Sequence, residues 1–402
     1  MGEPPPFLPY GRQLVDEDDI AAVTEVLRGD WLTTGPMVER LEEAVRGYIG
    51  AEHAIACANG TAALHLAAMA LGLGPGDKVI VPAVTFLATA NAATYVGAEV
   101  VFADCDATDG LMGPAELEDA LERAGPGVKA VFPVHLAGQC SDLDAIYAIA
   151  RRHGLAVVED AAHAIGTRIA GADGRERFIG DCPEAGLATF SFHPVKTMTM
   201  GEGGMVTTND SNLAERARRF RSHGMRREPE AFENSAMAFM QDGGANPWYY
   251  EMAEPGFNYR ATDFQCALGL SQFKKLERFV AQRRALAEHY DTLLRDLQLP
   301  VTPIRRNPLC TAAWHLYAVL IDFDEIEVER GAVMQRLREQ GIGTQVHYIP
   351  VHTQPFYRRR NGDLSLPGAE RYYAQTLSLP LFAGMDESDV DRVATALQTS
   401  LR

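Results

Sequence analysis

The sequence lacks the cysteine spacing that metal sites and disulfide frameworks use. Its 402 residues include six cysteines, at positions 57, 105, 140, 182, 266 and 310, and none form a CxxC pair. Zinc sites and redox motifs are typically built on such pairs, and small secreted domains on closely spaced cysteines. We therefore predict neither a metal site nor a disulfide framework, and we expect the protein in a reducing compartment, the cytoplasm.

Long apolar runs and an excess of positive charge are also missing. The most apolar window, residues 54–73, is interrupted by polar residues and ends in glycines, which is unlike a membrane span. Acidic residues number 54 against 37 lysines and arginines, which gives a formal net charge of −17. This balance disfavours nucleic acids and anionic membrane surfaces as partners. The proline-rich start of the chain shows no apolar leader and predicts an extended arm over residues 1–15.

What the chain does contain is an alternation of short apolar runs with helical patterns. Apolar runs lie near residues 79–84, 100–103, 130–134 and 155–158, and helical patterns cover residues 114–123 and 142–153. This alternation is typical of an α/β fold with a mostly parallel sheet flanked by helices. We predict a large domain over residues 16–280 and a smaller C-terminal α+β domain over residues 281–402, bridged by one long helical stretch over residues 262–297.

A single lysine stands out in the segment LATFSFHPVKTMTMGEGGMV, residues 187–206. Lys196 lies there in a polar loop between two apolar runs that are typical of strands. A lysine amine attacks carbonyl groups only when unprotonated, and a desolvated pocket lowers its pKa towards that state. On this segment alone, a surface lysine in a turn is an equally good interpretation. The role of His193, in the same loop, stays open.

A second segment, HGLAVVEDAAHAIG over residues 153–166, places an acid at the end of a predicted strand. Parallel sheets bind ligands at the carboxyl ends of their strands, where Asp160 arrives. A carboxylate there can keep a heterocyclic nitrogen protonated, which is what pyridoxal phosphate requires. The alternative is that Asp160 caps a following helix.

The third segment, AIACANGTAALHLAAMALGLGPGD over residues 54–77, predicts a phosphate seat. Asn59, Gly60 and Thr61 precede a run of good helix formers, so unpaired N–H groups and the positive end of the helix dipole lie at that point. Taken by itself, this segment is better explained by ordinary helix capping. The three segments in this order together predict a pyridoxal phosphate enzyme.

The ordered motifs NGTAAL, PAVTFLATAN, EDAAHAIG, FSFHPVKTMTMGEGG, FRSHGM, GFNYR and QVHYIP resemble the DegT/DnrJ/EryC1/StrS family of nucleotide-sugar aminotransferases. The resemblance covers nearly the whole chain and implies the aspartate aminotransferase-like fold of fold type I pyridoxal phosphate enzymes. The segments PYGRQLVDEDD, NPWYYEMAEPGFNYR and QCALGLSQFKKLERF are most similar to members that aminate C4 of a UDP-linked 4-keto-6-deoxy-N-acetylhexosamine on the pseudaminic acid route. L-glutamate is the expected amino donor.

The resemblance implies a role for each matching position. Lys196 would form the covalent imine with the cofactor aldehyde and then transfer the proton, while Asp160 would pair with the pyridinium nitrogen. Phe86 would stack on the ring, and His163 would lie near its phenolic oxygen. Asn258 would reach the phosphate from the other subunit, which implies a homodimer with shared active sites. The cofactor-binding positions are Gly60, Thr61, Ala62, Phe86, Asp160, His163, Ser191, Lys196 and Asn258.

Substrate contacts are implied in the same way. The matching positions are Tyr10, Asp30, Trp31, Leu32, Thr33, His347 and Tyr348, and the diphosphate would meet Arg221, His223 and Arg260. Sugar dehydratases similar to the family have histidine in place of the lysine, so Lys196 favours transamination. Two alternatives stay open: an aminotransferase for another nucleotide-linked ketosugar, such as a D-gluco UDP, GDP or dTDP sugar, and a non-catalytic pyridoxal phosphate-binding regulatory protein.

The segment 225–255 has no helical or strand period. Long irregular loops inside a compact domain are usually functional or disordered. We predict that this one covers the substrate entrance of its own subunit or of the neighbour. Its aromatic cluster, Trp248, Tyr249 and Tyr250, favours packing on a dimer partner over stacking on a sugar or uracil ring.

Overall fold

Short strands and helices alternate along the chain in a computed structural model that describes residues 6–171, 174–184 and 186–402. The strands are β1 His53–Cys57, β2 Lys78–Pro82, β3 Glu99–Ala103, β4 Val128–Val131, β5 Ala156–Asp160, β6 Arg168–Ala170, β7 Glu176–Phe178, β8 Leu187–Ser191, β9 Gly204–Thr208, β10 Met225–Arg226, β11 Glu251–Met252, β12 Thr302–Pro303, β13 Cys310–Thr311, β14 Tyr317–Leu320 and β15 Thr376–Leu379.

The helices flank these strands. They are α1 Glu17–Arg28, α2 Pro36–Ile49, α3 Gly60–Ala70, α4 Leu87–Tyr95, α5 Pro114–Ala124, α6 Leu143–His153, α7 Ser211–Arg221, α8 Ser235–Ala238, α9 Asp263–Phe273, α10 Leu276–Asp296, α11 Arg330–Glu339, α12 Pro355–Asn361, α13 Pro367–Gln375 and α14 Glu387–Ser400. Short 3₁₀ turns lie at Leu136–Gly138, Pro229–Ala231 and Val351–Thr353. Within the described residues, no helix is both long and apolar enough to span a bilayer.

A seven-stranded sheet in the order β1-β9-β8-β5-β4-β2-β3 forms the centre of the fold. The pairs from β3 to β8 are parallel, and only β9 runs against its neighbours. Val79 and Val81 pack into one apolar cluster while Ile80 packs into another, so β2 is covered on both faces. The prediction of a mostly parallel sheet flanked by helices is confirmed.

The C-terminal part contains the antiparallel sheet β12-β14-β15 with helices α11, α13 and α14 beside it. The predicted single helix over residues 262–297 is wrong: α9 and α10 are separate, and the chain turns between them at Lys274 and Lys275. The Lys275 ammonium lies 2.7 Å from the buried Asp19 carboxylate at this turn. Residue 280 lies inside α10. The domain boundary predicted at this residue therefore does not coincide with the end of a helix or strand, and it stays a prediction.

The predicted N-terminal arm is described from residue 6 onwards. Residues 6–15 form no helix, and Leu8 pairs with Ile342 of the C-terminal part through an isolated bridge. The Leu8 N–H donates to the Gly341 carbonyl at 2.8 Å. The arm therefore ties the start of the chain to its C-terminal part and carries Tyr10 towards the ends of the central strands. Residues 1–5 lie outside the described residues.

Candidate active site

A cavity of about 610 Å³ opens where β5 and β8 end. The loops that follow parallel strands lie at this edge of the sheet, and the ligand sites of α/β proteins form there. Ten of the predicted site residues line the cavity: Tyr10, Gly60, Thr61, Phe86, Asp160, His163, Ser191, Lys196, His347 and Tyr348. His193, whose role the sequence left open, lines it too, as does His315.

Lys196 projects into this cavity from the loop between β8 and β9. The loop turns back at once, with the Lys196 N–H donating to the His193 carbonyl at 2.9 Å. Burial lowers the pKa of the Lys196 amine to about 8, and the nearby Asp160 carboxylate partly opposes this. The interpretation as an exposed surface lysine is wrong, because the amine lies in a cavity, where about a tenth of it is unprotonated at pH 7.

Asp160 ends β5 and is 5% exposed. Its Oδ2 accepts a hydrogen bond from the Thr89 hydroxyl at 2.6 Å, and its Oδ1 accepts one from the Ala162 N–H at 3.1 Å. The alternative of helix capping is wrong, since turns and then β6 follow this residue. Asp160 is therefore an oriented carboxylate that shares the cavity with Lys196.

The reverse face of β5 carries a second buried acid. Glu159 points away from the cavity and accepts hydrogen bonds from the Tyr147 hydroxyl and from His135 Nε2, the latter at 2.9 Å. Its exposed fraction is zero. These partners lower the pKa of Glu159 against the opposing effect of burial. Adjacent residues of one strand thus place two carboxylates on opposite faces of the sheet, each in its own polar setting.

The residues predicted to bind a phosphate lie at the start of α3. Asn59 caps this helix through a hydrogen bond from the Ala62 N–H at 2.8 Å, which leaves the Gly60 and Thr61 N–H groups at the cavity. A Cβ on Gly60 would lie 2.8 Å from the Ser191 Cβ, so glycine is required for this close approach. Ala62 is buried outside the cavity lining, and its role at a phosphate stays a prediction.

Three histidines surround Lys196 and all are held neutral. Burial, together with the positive charge on Lys196, keeps the pKa of His163 and of His315 well below the usual 6.5. Burial lowers the pKa of His347 to about 3. The rings of His163 and His315 lie 4.3 Å apart, and His163 Nε2 lies 3.1 Å from the Tyr348 hydroxyl. Among the described residues that line the cavity, Lys196 is the only lysine or arginine.

Sequence reasoning missed His315 and Thr89. His315 precedes the apolar run of β14, in AAWHLY, and reaches His163 because its backbone N–H donates to the Ala137 carbonyl at 2.8 Å. Thr89 lies in the first turn of α4, within the motif PAVTFLATAN, in which only Phe86 is predicted to be a site residue. Neither residue has a local signal, because each gains its position through contacts with distant parts of the chain.

The remaining predicted residues lie away from the cavity of their own chain. Asp30, Trp31, Leu32 and Thr33 form an exposed turn, and Leu32 and Thr33 contact the start of α9. Asn258 is exposed beside Ser222. Arg221 and Arg260 line a separate recess of about 590 Å³, and Arg221 pairs with Glu42 at 2.7 Å. His223 is exposed near this recess.

Residues 225–255, hereafter the flap, are more ordered than the sequence suggests. The strands β10 and β11 pair, and the Glu251 carboxylate accepts hydrogen bonds from the Glu233 and Asn234 N–H groups and from Tyr249. Phe232 packs on Tyr249 inside the flap. Trp248 is 73% exposed, so it presents a bulky aromatic surface outward.

This geometry agrees with what known proteins show. The profile of the DegT/DnrJ/EryC1/StrS aminotransferase family matches residues 13–398. The chain belongs to this family. The aminotransferase is 40% identical over 395 residues to the spore coat polysaccharide biosynthesis protein SpsC of Bacillus subtilis, covering 98% of this chain and 96% of SpsC.

The chain is also similar to solved structures of aminotransferases. The aminotransferase matches PseC of Helicobacter pylori, an aminotransferase involved in the biosynthesis of pseudoaminic acid, with a TM-score of 0.87, 28% identity, and coverage of 98% of this chain and 99% of PseC. It matches the sugar aminotransferase Spr1654 of Streptococcus pneumoniae in its pyridoxal phosphate form with a TM-score of 0.86, 26% identity, and coverage of 98% of both chains. The predictions of family and of fold type I are confirmed.

The cofactor of the aminotransferase is pyridoxal phosphate. The cavity fits this group: an amine of lowered pKa and an oriented carboxylate face one space, and a helix N-terminus with unpaired N–H groups adjoins it. In the described residues no cluster of potential metal ligands forms.

We expect Lys196→Met to stabilise the cofactor-free aminotransferase at pH 7. The pKa of Lys196 falls from 10.5 to about 8 on folding, which corresponds to a destabilisation of about 3 kcal/mol when the amine is charged. This destabilisation is complete below pH 8, shrinks as the pH rises to 10.5, and is absent above it, because the unfolded chain binds the proton more tightly. Denaturant unfolding at pH 7 and pH 10.5 measures the difference.

The matched control is Lys129→Met, which removes an exposed lysine. It should change the free energy of unfolding by the same small amount at both pH values. An equal stability difference between Lys196→Met and the original protein at both pH values would contradict the prediction.

Proposed function

We propose that this sugar aminotransferase transfers the amino group of L-glutamate to C4 of a UDP-linked 4-keto-6-deoxy-N-acetylhexosamine, in the formation of pseudaminic acid or a related surface glycan. The observation that carries the proposal is the Lys196 amine, with its pKa lowered to about 8, facing Asp160 in a cavity of about 610 Å³. The similarity to PseC, which is involved in pseudoaminic acid biosynthesis, supports the sugar class. The motifs around Tyr10 and the flap support the same class.

Bound pyridoxal phosphate supplies an aldehyde and a ring that withdraws electrons from the carbon bearing the amino group. In our proposal the Asp160 carboxylate would pair with the ring nitrogen. The N–H groups of Gly60 and Thr61, with the Ser191 hydroxyl, would bind the phosphate. Phe86 would cover one face of the ring, and the centroid of its own ring lies 6.0 Å from that of Tyr348.

Proton transfer is assigned to Lys196. His163, His315 and His347 are neutral because burial lowers the pKa of each, so none carries a proton to donate as an imidazolium near pH 7. The Lys196 amine has a pKa close to the working pH, which is the condition for efficient acid and base catalysis. The same amine therefore accepts the proton from the donor carbon and returns it to the product.

We further propose a homodimer in which each active site is completed by the partner. The cavity must bind a cofactor phosphate and a sugar diphosphate, yet Lys196 is the only lysine or arginine on its described lining. Asn258, His223, Arg221 and Arg260 lie on another surface of the chain, where they have no access to their own cavity. A twofold interface brings such a surface against the cavity of the second copy.

Exposed apolar side chains support the interface. Trp31 is 58% exposed and Tyr95 is 54% exposed, and Phe257 is also exposed. Apolar area of this kind is typical of surfaces that a partner covers. We propose that the turn Asp30–Thr33 and the flap also belong to this interface, with Trp248 packing on the partner beside the substrate entrance.

A panel of ketosugars tests the substrate. The purified aminotransferase would be mixed with glutamate and a UDP-linked 4-keto sugar of the pseudaminic acid route, its D-gluco counterpart, and GDP- and dTDP-linked 4-keto sugars. We expect the first to be aminated at least about tenfold faster than the others, measured as kcat/KM by mass spectrometry of the amino sugar.

A faster reaction with one of the other sugars would identify that sugar as the substrate and leave the proposed aminotransferase reaction unchanged. The relationship to SpsC, a spore coat polysaccharide protein, favours another surface-glycan ketosugar as the second candidate. Loss of the yellow colour with glutamate but no amination of any sugar would contradict the sugar assignment itself.

A further inference from the structure

Thr89 lies behind Asp160 and makes no contact with the cavity. It is on the first turn of α4, its exposed fraction is zero, and it does not belong to the cavity lining. Its hydroxyl oxygen lies 2.6 Å from Asp160 Oδ2 and 2.7 Å from the Thr85 hydroxyl oxygen. Both distances are typical of good O–H···O hydrogen bonds.

The directions of these two hydrogen bonds follow from counting protons. A threonine hydroxyl has one hydrogen, and an ionised carboxylate only accepts. The Thr89 hydroxyl also lies 3.2 Å from the Phe86 carbonyl oxygen, but its one hydrogen is directed mainly to the nearer acceptor, Asp160 Oδ2, so Thr89 accepts from Thr85. The result is a short chain, Thr85 to Thr89 to Asp160, in which each hydrogen bond polarises the next. Its last member is a charge-assisted hydrogen bond, which is the stronger kind.

The carboxylate of Asp160 is thereby held on both oxygens. The Ala162 N–H binds Oδ1 and the Thr89 hydroxyl binds Oδ2, while the backbone of Asp160 is bound by the Pro133 carbonyl and the His135 N–H. Each oxygen keeps further lone pairs on the side of the cavity. Rotation of the carboxylate about its own axis would break one of the two side-chain hydrogen bonds.

We propose that Thr89 is the positioning residue that sets the orientation of the Asp160 carboxylate towards the cofactor nitrogen. The proposal rests on the proposed role of Asp160. The start of α4 then serves two purposes, since Phe86, assigned to the ring face, caps this helix and lies three residues before Thr89. Without the Thr89 hydroxyl, a buried carboxylate loses a donor and is free to turn away from the ring nitrogen.

The test compares Thr89→Val with Thr89→Ser. Valine keeps the shape but removes the hydroxyl, and we expect it to weaken equilibrium binding of pyridoxal phosphate to the cofactor-free protein by about ten- to a hundredfold. The pH midpoint of the visible absorption of the cofactor-bound protein should also move. Serine retains the hydroxyl and should restore both properties to within about threefold of the original protein.

Thr208→Val is the matched control, because Thr208 is equally buried and donates to the Gly186 carbonyl at 2.6 Å, far from Asp160. It should lower Tm and leave cofactor affinity and the pH midpoint unchanged. Asp160→Asn serves as the reference for a complete loss of the interaction.

Three results separate the possible failures. If Thr89→Val binds the cofactor normally and keeps the original pH midpoint while Asp160→Asn does not, Thr89 has no positioning role. Equal losses in Thr89→Ser and Thr89→Val would also overturn the proposal, in favour of a packing role. If Asp160→Asn itself behaves like the original protein, the assigned role of Asp160 fails, and the role of Thr89 fails with it.

Discussion

Lys196→Ala is expected to lower the rate of amino transfer from glutamate to the sugar by at least about a thousandfold, since it removes both the nucleophile and the general base. No other lysine or arginine lines the described part of the cavity, so no neighbouring amine replaces it. The three neutral histidines cannot form the covalent bond that a lysine amine forms with an aldehyde. Single-turnover formation of the amino sugar, followed by mass spectrometry, measures the rate.

A second measurement locates the covalent bond independently of activity. Borohydride treatment of the yellow protein should attach the cofactor permanently to the tryptic peptide that contains Lys196, and Lys196→Ala should yield no such peptide. Lys129→Ala, at an exposed site, is the control and should retain both the labelled peptide and the full rate. Modification of another lysine in the original protein would contradict the assignment.

Mixing two inactive variants is expected to restore activity if each site takes residues from both subunits. Asn258→Asp places a negative charge where the partner's cofactor phosphate is proposed to bind, so we expect a loss of at least about a hundredfold from like-charge repulsion. Lys196→Ala is inactive for a different reason. A dimer containing one copy of each has one site with an intact lysine and an intact asparagine.

Random pairing of the two variants should leave about one quarter of all sites intact in a twofold dimer. The measurement is the amination rate after the two variants are unfolded and refolded together, compared with each variant treated alone. Recovery to about a quarter of the original rate supports shared sites. No recovery, although native mass spectrometry shows that mixed dimers form, would place Asn258 outside the partner's site.

The sequence predicts those parts of the site in which chemistry and local structure coincide. Asp160 was placed correctly at the edge of the sheet because the apolar run that precedes it is itself the strand β5. Gly60 and Thr61 were placed at a helix start by the residues on either side of them, and Lys196 by the two strands that flank its loop. Each of these positions depends on a few neighbouring residues, so a single segment contains enough information.

Other parts of the site depend on packing between distant segments. His315 and His163 are 152 positions apart in the sequence, yet their rings are in contact. This contact depends on the hydrogen bond from the His315 N–H to the Ala137 carbonyl, and nothing in the local sequence AAWHLY indicates it. Thr89 acts through Asp160 rather than on the cavity. The break between α9 and α10 was missed because Lys274 and Lys275 are ordinary helix residues in a periodic pattern.

The two acids that end β5 have a consequence for how much change this strand tolerates. Deleting or inserting one residue in β5 would shift its pairing register and exchange the faces on which the acids lie. Asp160 would then face Tyr147 and His135, and the longer Glu159 would enter the cavity. Substitutions in β5 that preserve its length are therefore far better tolerated than insertions or deletions. If this strand is exchanged for that of another family member, both acids must be transferred together and in the same register.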